Sequence, residues 1–279
     1  VYIPAAFGPN IFASVVVLYQ EIRFMKNRFK KILVGFDNSP SAKSAIEKAV
    51  NISERFGSQI QAVYVVKDSK DSRRDEVAQF IQELKTRRNV TIELIERHGR
   101  VYKEISTLER EVGADLIIVG THGKDGWQPF WIGSNAFRIV SSSNCPVITI
   151  QEDTIRSGGF SEILVPIDDS TETRQKMPYV AMIAEAFNST VHLLGATKSK
   201  SNESRQHVET FVKQCEKYLA ERKIQFTHQI MTGVNIPQTV VEKSKELKVG
   251  LIIIMTETEK MGMIMGDYAQ DVINNAPVA

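Results

Sequence analysis

The sequence predicts an α/β fold made twice: two tandem doubly wound parallel five-stranded sheets. Three observations predict it. Short all-apolar runs alternate with amphipathic helical patterns along the chain. A block of the sequence recurs near the middle. The length, 279 residues, suits two domains of roughly 150 residues each.

The recurrence is specific. Ile32-Leu33-Val34-Gly35-Phe36-Asp37-Asn38-Ser39 matches Ile163-Leu164-Val165-Pro166-Ile167-Asp168-Asp169-Ser170 at an offset of 131 residues. The same offset pairs Glu54 with Glu185, Phe56 with Phe187 and Ser58 with Ser189. Farther on, Leu116–Val119 pairs with Leu251–Ile254, and Cys145-Pro146-Val147 with Ala276-Pro277-Val278. The chain divides into an extension over 1–29, a first unit over 30–151, a joint over 152–161 and a second unit over 162–279. Asp153, Ser157, Gly158 and Gly159 mark the joint as a loop. The second unit reads as clipped, because it stops at Ala279 where the first unit continues as a strand.

Ile32–Phe36 reads as a strand buried on both faces. Ser39 can cap the next helix, with Pro40 in its first turn. Ala42, Ala45, Ile46, Ala49 and Phe56 give that helix one apolar face, and Gly57 can end it. Ile60–Val66 is a second strand. Val77, Phe80, Ile81 and Leu84 mark a second helix, and Val90–Ile95 a third strand. Val101, Ile105, Leu108 and Val112 mark a third helix, stopped by Gly113. Leu116–Val119 is a fourth strand, Ser134–Ser143 a last helix and Val147–Ile150 a last strand. Such an alternation makes a parallel sheet wound on both faces. Ligands of these sheets bind beyond the carboxyl ends of the strands, where the strand order reverses.

Composition narrows the function classes. The chain is 42% hydrophobic and 24% charged, which excludes collagen, low-complexity disorder and a disulfide scaffold. A net charge of +2 gives no long-range pull toward nucleic acid or a membrane. Cys145 and Cys215 stand alone, without the spacing of a zinc site. Two lone thiols suit a reducing compartment, the cytoplasm.

The chain begins at Val1, and its first residues hold an apolar run, Ile11–Tyr19. That run is too short to span a bilayer, which needs roughly 20 residues, and it lacks the flanks of a signal peptide. Three readings stay open. Met25 is the true start; or the segment is an amphipathic helix packed on the domain; or it is the tail of a larger membrane protein.

The fourth strand runs into Gly120-Thr121-His122-Gly123, and nine residues later into Gly133-Ser134. Glycines between a strand and a helix let the backbone approach a phosphate and take positive φ. The N–H groups of the following helix favour an anion. Ser134 adds a hydroxyl donor. Asp37, at the end of the first strand, can accept from ribose hydroxyls. A lone GxxG is more often a tight turn with an N-cap. The full G-x2-G-x9-G-S spacing in this element, with Asp37 in place, favours a phosphate loop. It is not the P-loop kind, since GxxxxGK[ST] is missing from the sequence.

The tandem repeat, the strand start ending in Asp37-Asn38-Ser39 and the glycine loop resemble the universal stress protein family. The resemblance covers nearly all of 31–279, as two copies. It implies the adenine nucleotide alpha hydrolase-like, Rossmann-like fold, with the two units packed as a pseudo-dimer. It implies ATP across the loop, with or without Mg2+. Asp37 would then meet the ribose or adenine end, Val65 the adenine through its backbone, and Gly120, Gly123, Gly133 and Ser134 the phosphates. His122 is expected to sit near the phosphates without moving a proton. Lys124 either offsets phosphate charge or is solvated. Trp127, Phe130 and Trp131 shield the nucleotide, dock a partner or cover the sheet edge. Cys145 is expected to be a small buried hydrophobe.

The second copy departs from this pattern. Asp168 and Ser170 remain, but Met255 replaces Gly120, Thr258 replaces Gly123, and Asp267 stands where Ser134 would. A carboxylate within ~4 Å of a phosphate costs ~4 kcal/mol at an effective dielectric of 20. The second copy is therefore expected not to bind ATP in this way. Its methionines 255, 261, 263 and 265 are expected to be packing filler.

The resemblance implies an ATP-binding stress-response regulator with one nucleotide site and at most slow ATP hydrolysis, and no catalytic or metal-ligating residues are expected. Its expected partners are an adenine nucleotide and an unidentified protein, with further homodimerisation left open. An ATP pyrophosphatase would carry S-G-G-x-D-S, which Gly35–Ser39 lacks. An interaction module with vestigial sites and a cytosolic regulatory domain of a membrane transporter are the alternatives.

Overall fold

The computed structural model describes residues 29–66, 73–121, 133–151, 159–255 and 266–276. The first half alternates as expected: β1 (Lys31–Gly35), α1 (Pro40–Phe56), β2 (Gln59–Val66), α2 (Arg73–Arg88), β3 (Ile92–His98), α3 (Val101–Val112), β4 (Leu116–Gly120), α4 (Ser134–Ser142) and β5 (Val147–Ile150). The second half follows with β6 (Glu162–Ile167), a 3-10 turn at Thr171–Arg174, α5 (Met177–Phe187), β7 (Thr190–Thr197), α6 (Asn202–Glu221), β8 (Gln225–Thr232), α7 (Ile236–Glu246), β9 (Leu251–Ile252) and α8 (Asp267–Asn275). Strand order is β3-β2-β1-β4-β5 in one sheet and β8-β7-β6-β9 in the other, and every strand pair is parallel. The two orders match position by position. The expected fifth strand of the second sheet falls on residues 277–279, outside the described residues.

Local chemistry sets the boundaries. Ser39 accepts from the Ala42 N–H at 3.3 Å and caps α1, with Pro40 at its start. Gly57 and Gly113 end α1 and α3 with left-handed backbone, φ 68° and 63°, where a residue with a Cβ is strained. The third strand runs Ile92–His98 rather than Val90–Ile95. It is an edge strand, so Glu96 and Arg97, half-buried, and His98, exposed, can continue it.

Leu33, Val34, Ile117 and Ile118 at the centre of the first sheet are fully buried, as a strand covered on both faces requires. One apolar cluster runs from the first half into the second, carried by Phe29, Ile46, Val50, Phe160, Val180 and Ile183. Phe160 and Phe187 meet edge to face at 5.0 Å, and Phe187 lies 6.5 Å from Phe56. The Lys48 ammonium sits 5.1 Å from the Phe160 ring centre, and burial lowers its pKa. Among the described residues no helix is long and apolar enough to cross a membrane.

Candidate functional site

A cavity of about 350 Å³ opens beyond the carboxyl ends of β1, β2 and β4. This is the switch point of the strand order, because α1 leaves β1 on one side and β4 flanks it on the other. Asp37, Val65, Gly120, Gly133 and Ser134 all line it, from four separate elements or their ends. Gly123, His122, Lys124 and the aromatic residues 127, 130 and 131 lie outside the described residues.

Each of the placed residues has a local cause. Asp37 follows β1, and its Oδ1 accepts the Ser39 N–H at 3.0 Å. This side-chain turn leaves the other carboxylate oxygen to be offered elsewhere. Asn38 between them takes φ 61°, a left-handed value that asparagine tolerates better than most residues. Val65 is buried one residue before the end of β2 and lines the cavity.

The two glycines correct one expectation. Neither Gly120 nor Gly133 has positive φ; Gly133 takes φ −57°. They are required for space. A Cβ on Gly120 would lie 2.4 Å from the Ser41 hydroxyl and 2.9 Å from its backbone carbonyl carbon. A Cβ on Gly133 would lie 2.7 Å from the Thr121 carbonyl oxygen, which accepts the Gly133 N–H at 2.7 Å. These contacts hold the end of β4 against α1 and pin the start of α4 to the strand.

Helix α4 begins at Ser134 with no side chain capping it. The first N–H groups of a helix have no intrahelical partner and carry the positive end of its dipole. At Ser134, Asn135 and Ala136 they border the cavity. An anion there would receive backbone donors, the Ser134 hydroxyl and the helix field together. With Asp37 as an acceptor at the end of β1, the arrangement suits a molecule with hydroxyls at one end and phosphate at the other. Among the described residues no group of His, Cys, Asp and Glu could hold a metal ion.

Residue-by-residue reading missed three parts of the wall. Tyr64 precedes Val65 on β2, Arg73 opens α2, and Val101 opens α3. Arg73 and Val101 sit at helix starts and Tyr64 two residues before the end of β2, and those positions were the only available signal.

The corresponding end of the second half differs in charge. Asp168 Oδ1 accepts the Ser170 N–H at 3.0 Å, as in the first half, but it also accepts the Ser170 hydroxyl at 2.5 Å. Ser170 caps no helix with its side chain, and the chain makes a 3-10 turn before α5. Lys176, in the place of Ala45, is 4% exposed and donates to the Thr173 hydroxyl at 3.2 Å. Burial lowers its pKa to about 8, against the pull of Asp168. Asp267 opens α8 behind Gly266, whose φ −58° and ψ 151° nearly repeat the −57° and 144° of Gly133. Asp267 therefore occupies the position of Ser134. Both cysteines are free thiols. Burial raises the pKa of each, that of Cys215 to about 11.

The universal stress protein family model matches residues 28–151. A universal stress protein of Methanocaldococcus jannaschii is 27% identical over 153 residues, spanning 49% of this chain and 90% of that protein. A Staphylococcus haemolyticus protein named for the same family is 30% identical over 156 residues, spanning 50% of this chain and 94% of its own length. Among solved structures, a universal stress protein from Archaeoglobus fulgidus aligns with a TM-score of 0.71 at 17% identity. That alignment covers 90% of this chain and 97% of the other. A functionally unknown protein from Pseudomonas aeruginosa aligns at 0.69 and 16% identity, covering 90% of both chains. At these identities the two structures establish a common fold.

Proposed function

This chain belongs to the universal stress protein family, and from that premise we propose that it is an ATP-binding regulator with one nucleotide site, in the first half. In this reading 30–151 is the binding unit. Residues 162–279 are a second unit of the same build that takes no nucleotide in this way, and 152–161 joins them. The single observation that carries the proposal is the start of α4: uncapped, pinned by Gly133 to Thr121, and opening on the cavity that Asp37 also lines.

Asp37 accepts from the ribose, and the Val65 backbone meets the adenine edge. The N–H groups from Ser134 onward, the Ser134 hydroxyl and the Gly120 backbone hold phosphate, with Gly123 completing the loop. ATP, with or without Mg2+, supplies the charged polyphosphate that such a loop holds. The chain's own residues bind and orient it. The role is regulatory, with at most slow hydrolysis, exerted through a protein partner in the cytoplasm. Two free thiols fit that compartment.

The second reading, an interaction module with a vestigial site, is favoured only in the second half, by Asp267 at the start of α8. The test is to denature the purified chain and identify the released nucleotide by chromatography, beside Gly133→Asp. The proposal predicts close to one adenine nucleotide per chain, lost in the variant. No released nucleotide, together with no binding of added ATP and magnesium, would leave the interaction module as the better account.

A further inference from the structure

Arginine at the start of a helix runs against the helix dipole, whose positive end lies there. α2 nevertheless opens with Arg73 and Arg74 side by side. Arg74 is answered by Glu96 of β3 at 2.7 Å. Arg73 is half-buried and lines the cavity of the candidate site. Among the described residues that line this cavity, Arg73 is the one cation and Asp37 the one anion. The fold does not demand an arginine at that point. In the second half the matching helix, α6, opens with Asn202 and Glu203 and is capped by Ser201.

Two contacts fix where Arg73 stands. Asn38, just beyond β1, donates from Nδ2 to Glu76 of α2 at 3.2 Å. Glu96, which holds Arg74, stands beside Tyr64 in the register of β2 and β3. β2 lies between β1 and β3, so the first turn of α2 crosses the end of β2, where Val65 lines the same cavity. Ser134 lies beyond β4, two strand spacings from β2, or about 10 Å. Arg73 is therefore at the opposite end of the cavity from the start of α4, which favours phosphate. The two walls also differ. α1 and α2 pack with Val34 on one face of the sheet, and α3 packs with Leu33 on the other. A flat ring beyond the end of β2 would have Arg73 on one side and Val101, at the start of α3, on the other.

We propose that Arg73 is a base-binding residue of this site: its guanidinium lies against the face of the nucleotide base. The inference rests on reading the cavity as a nucleotide site. In that reading the Val65 backbone takes the edge of the ring, which leaves a face to Arg73. A guanidinium is planar, always charged and weakly hydrated, so it stacks on a flat ring where an ammonium would keep its water. A cation over a half-buried ring face is worth roughly tenfold in affinity.

Calorimetric titration of the full chain with AMP and with ATP tests this, for the wild type, Arg73→Ala and Arg73→Lys. Alanine and lysine are both good helix formers, and losing a cation suits the dipole, so both variants should fold, which thermal melts check. Arg73→Ala should bind AMP and ATP about tenfold more weakly, by the same factor, because the base is common to both. Arg73→Lys should not restore binding, since it keeps the charge and loses the plane. A loss larger for ATP than for AMP, or one that lysine repairs, would put Arg73 on phosphate and overturn the proposal. Unchanged binding in Arg73→Ala would overturn it too, with the nucleotide site itself left standing. A wild-type chain that binds neither nucleotide would overturn the nucleotide site and this inference with it.

Discussion

The two halves of this molecule share a backbone plan and differ in the charge placed on it. Both sheets follow the same strand order, and both first strands end in an Asp-x-Ser turn closed at 3.0 Å. The helix starts at Ser134 and Asp267 are preceded by glycines of nearly identical backbone angles. Against that sameness, Ser134 faces Asp267, Gly120 faces Met255, and Ala45 faces Lys176. A dipole that invites an anion in the first half is already answered by a carboxylate in the second. The fold alone therefore does not carry the site. What separates the two halves is a few side chains and Gly120, where a Cβ would collide with Ser41.

The comparison breaks most visibly if the first half is given the second half's charge. Ser134→Asp gives it the carboxylate that Asp267 carries at the matching helix start. Repulsion of ~4 kcal/mol at an effective dielectric of 20 corresponds to about a thousandfold loss of ATP affinity. Equilibrium titration should show it, with a thermal melt confirming that the variant folds.

Lys176 sharpens the comparison from the other side. Its folded pKa of about 8 lies below the ordinary 10.5 because burial disfavours the charge. The unfolded chain then binds the proton more tightly, so the cost is full below about pH 8. It is relieved as the pH rises, so stability should climb from about pH 8, until above about pH 9 the raised thiol pKa values of Cys145 and Cys215 pull the other way. Lys176→Met should raise unfolding stability at pH 7 by about 3 kcal/mol and abolish this rise. Denaturant unfolding at several pH values reads both. An unchanged midpoint would mean that the ammonium reaches water.

A smaller effect separates the paired aspartates. Asp37→Ala should weaken nucleotide binding about tenfold, the worth of one charged hydrogen bond. Asp168→Ala should leave it unchanged. Equal losses would place the ligand at both ends of the molecule. The smallest expected effect is that of Asp267→Ser. Removing one carboxylate leaves Met255 and Lys176 in place, so calorimetry should detect no added nucleotide site.

Much of this was legible in the chain. The repeat, the strand and helix alternation and the caps at Ser39, Gly57 and Gly113 all follow from local chemistry that the structure bears out. Asp37, Gly120, Gly133 and Ser134 stood out by type and position at strand and helix ends, Val65 only through the family resemblance, and all five line the cavity. What was not legible depends on three dimensions. β3 extends into Glu96-Arg97-His98 because an edge strand can turn charge outward, which an apolar run cannot signal. α2 begins at Arg73, ahead of its first apolar residue, Val77. The reason for glycine at 120 and 133 is a neighbour in space, Ser41 or Thr121, rather than a backbone angle. Lys176 is buried although lysine ordinarily marks a surface, because the residues that enclose it come from distant parts of the sequence.

The central claim is that one half binds and the other does not. Calorimetric titration of the nucleotide-free chain with ATP and magnesium measures this as a stoichiometry. The account predicts one ATP per chain, in the wild-type chain and in Asp168→Ala alike, with Gly133→Asp reduced to none. Two per chain, or one that survives in Gly133→Asp, would contradict it.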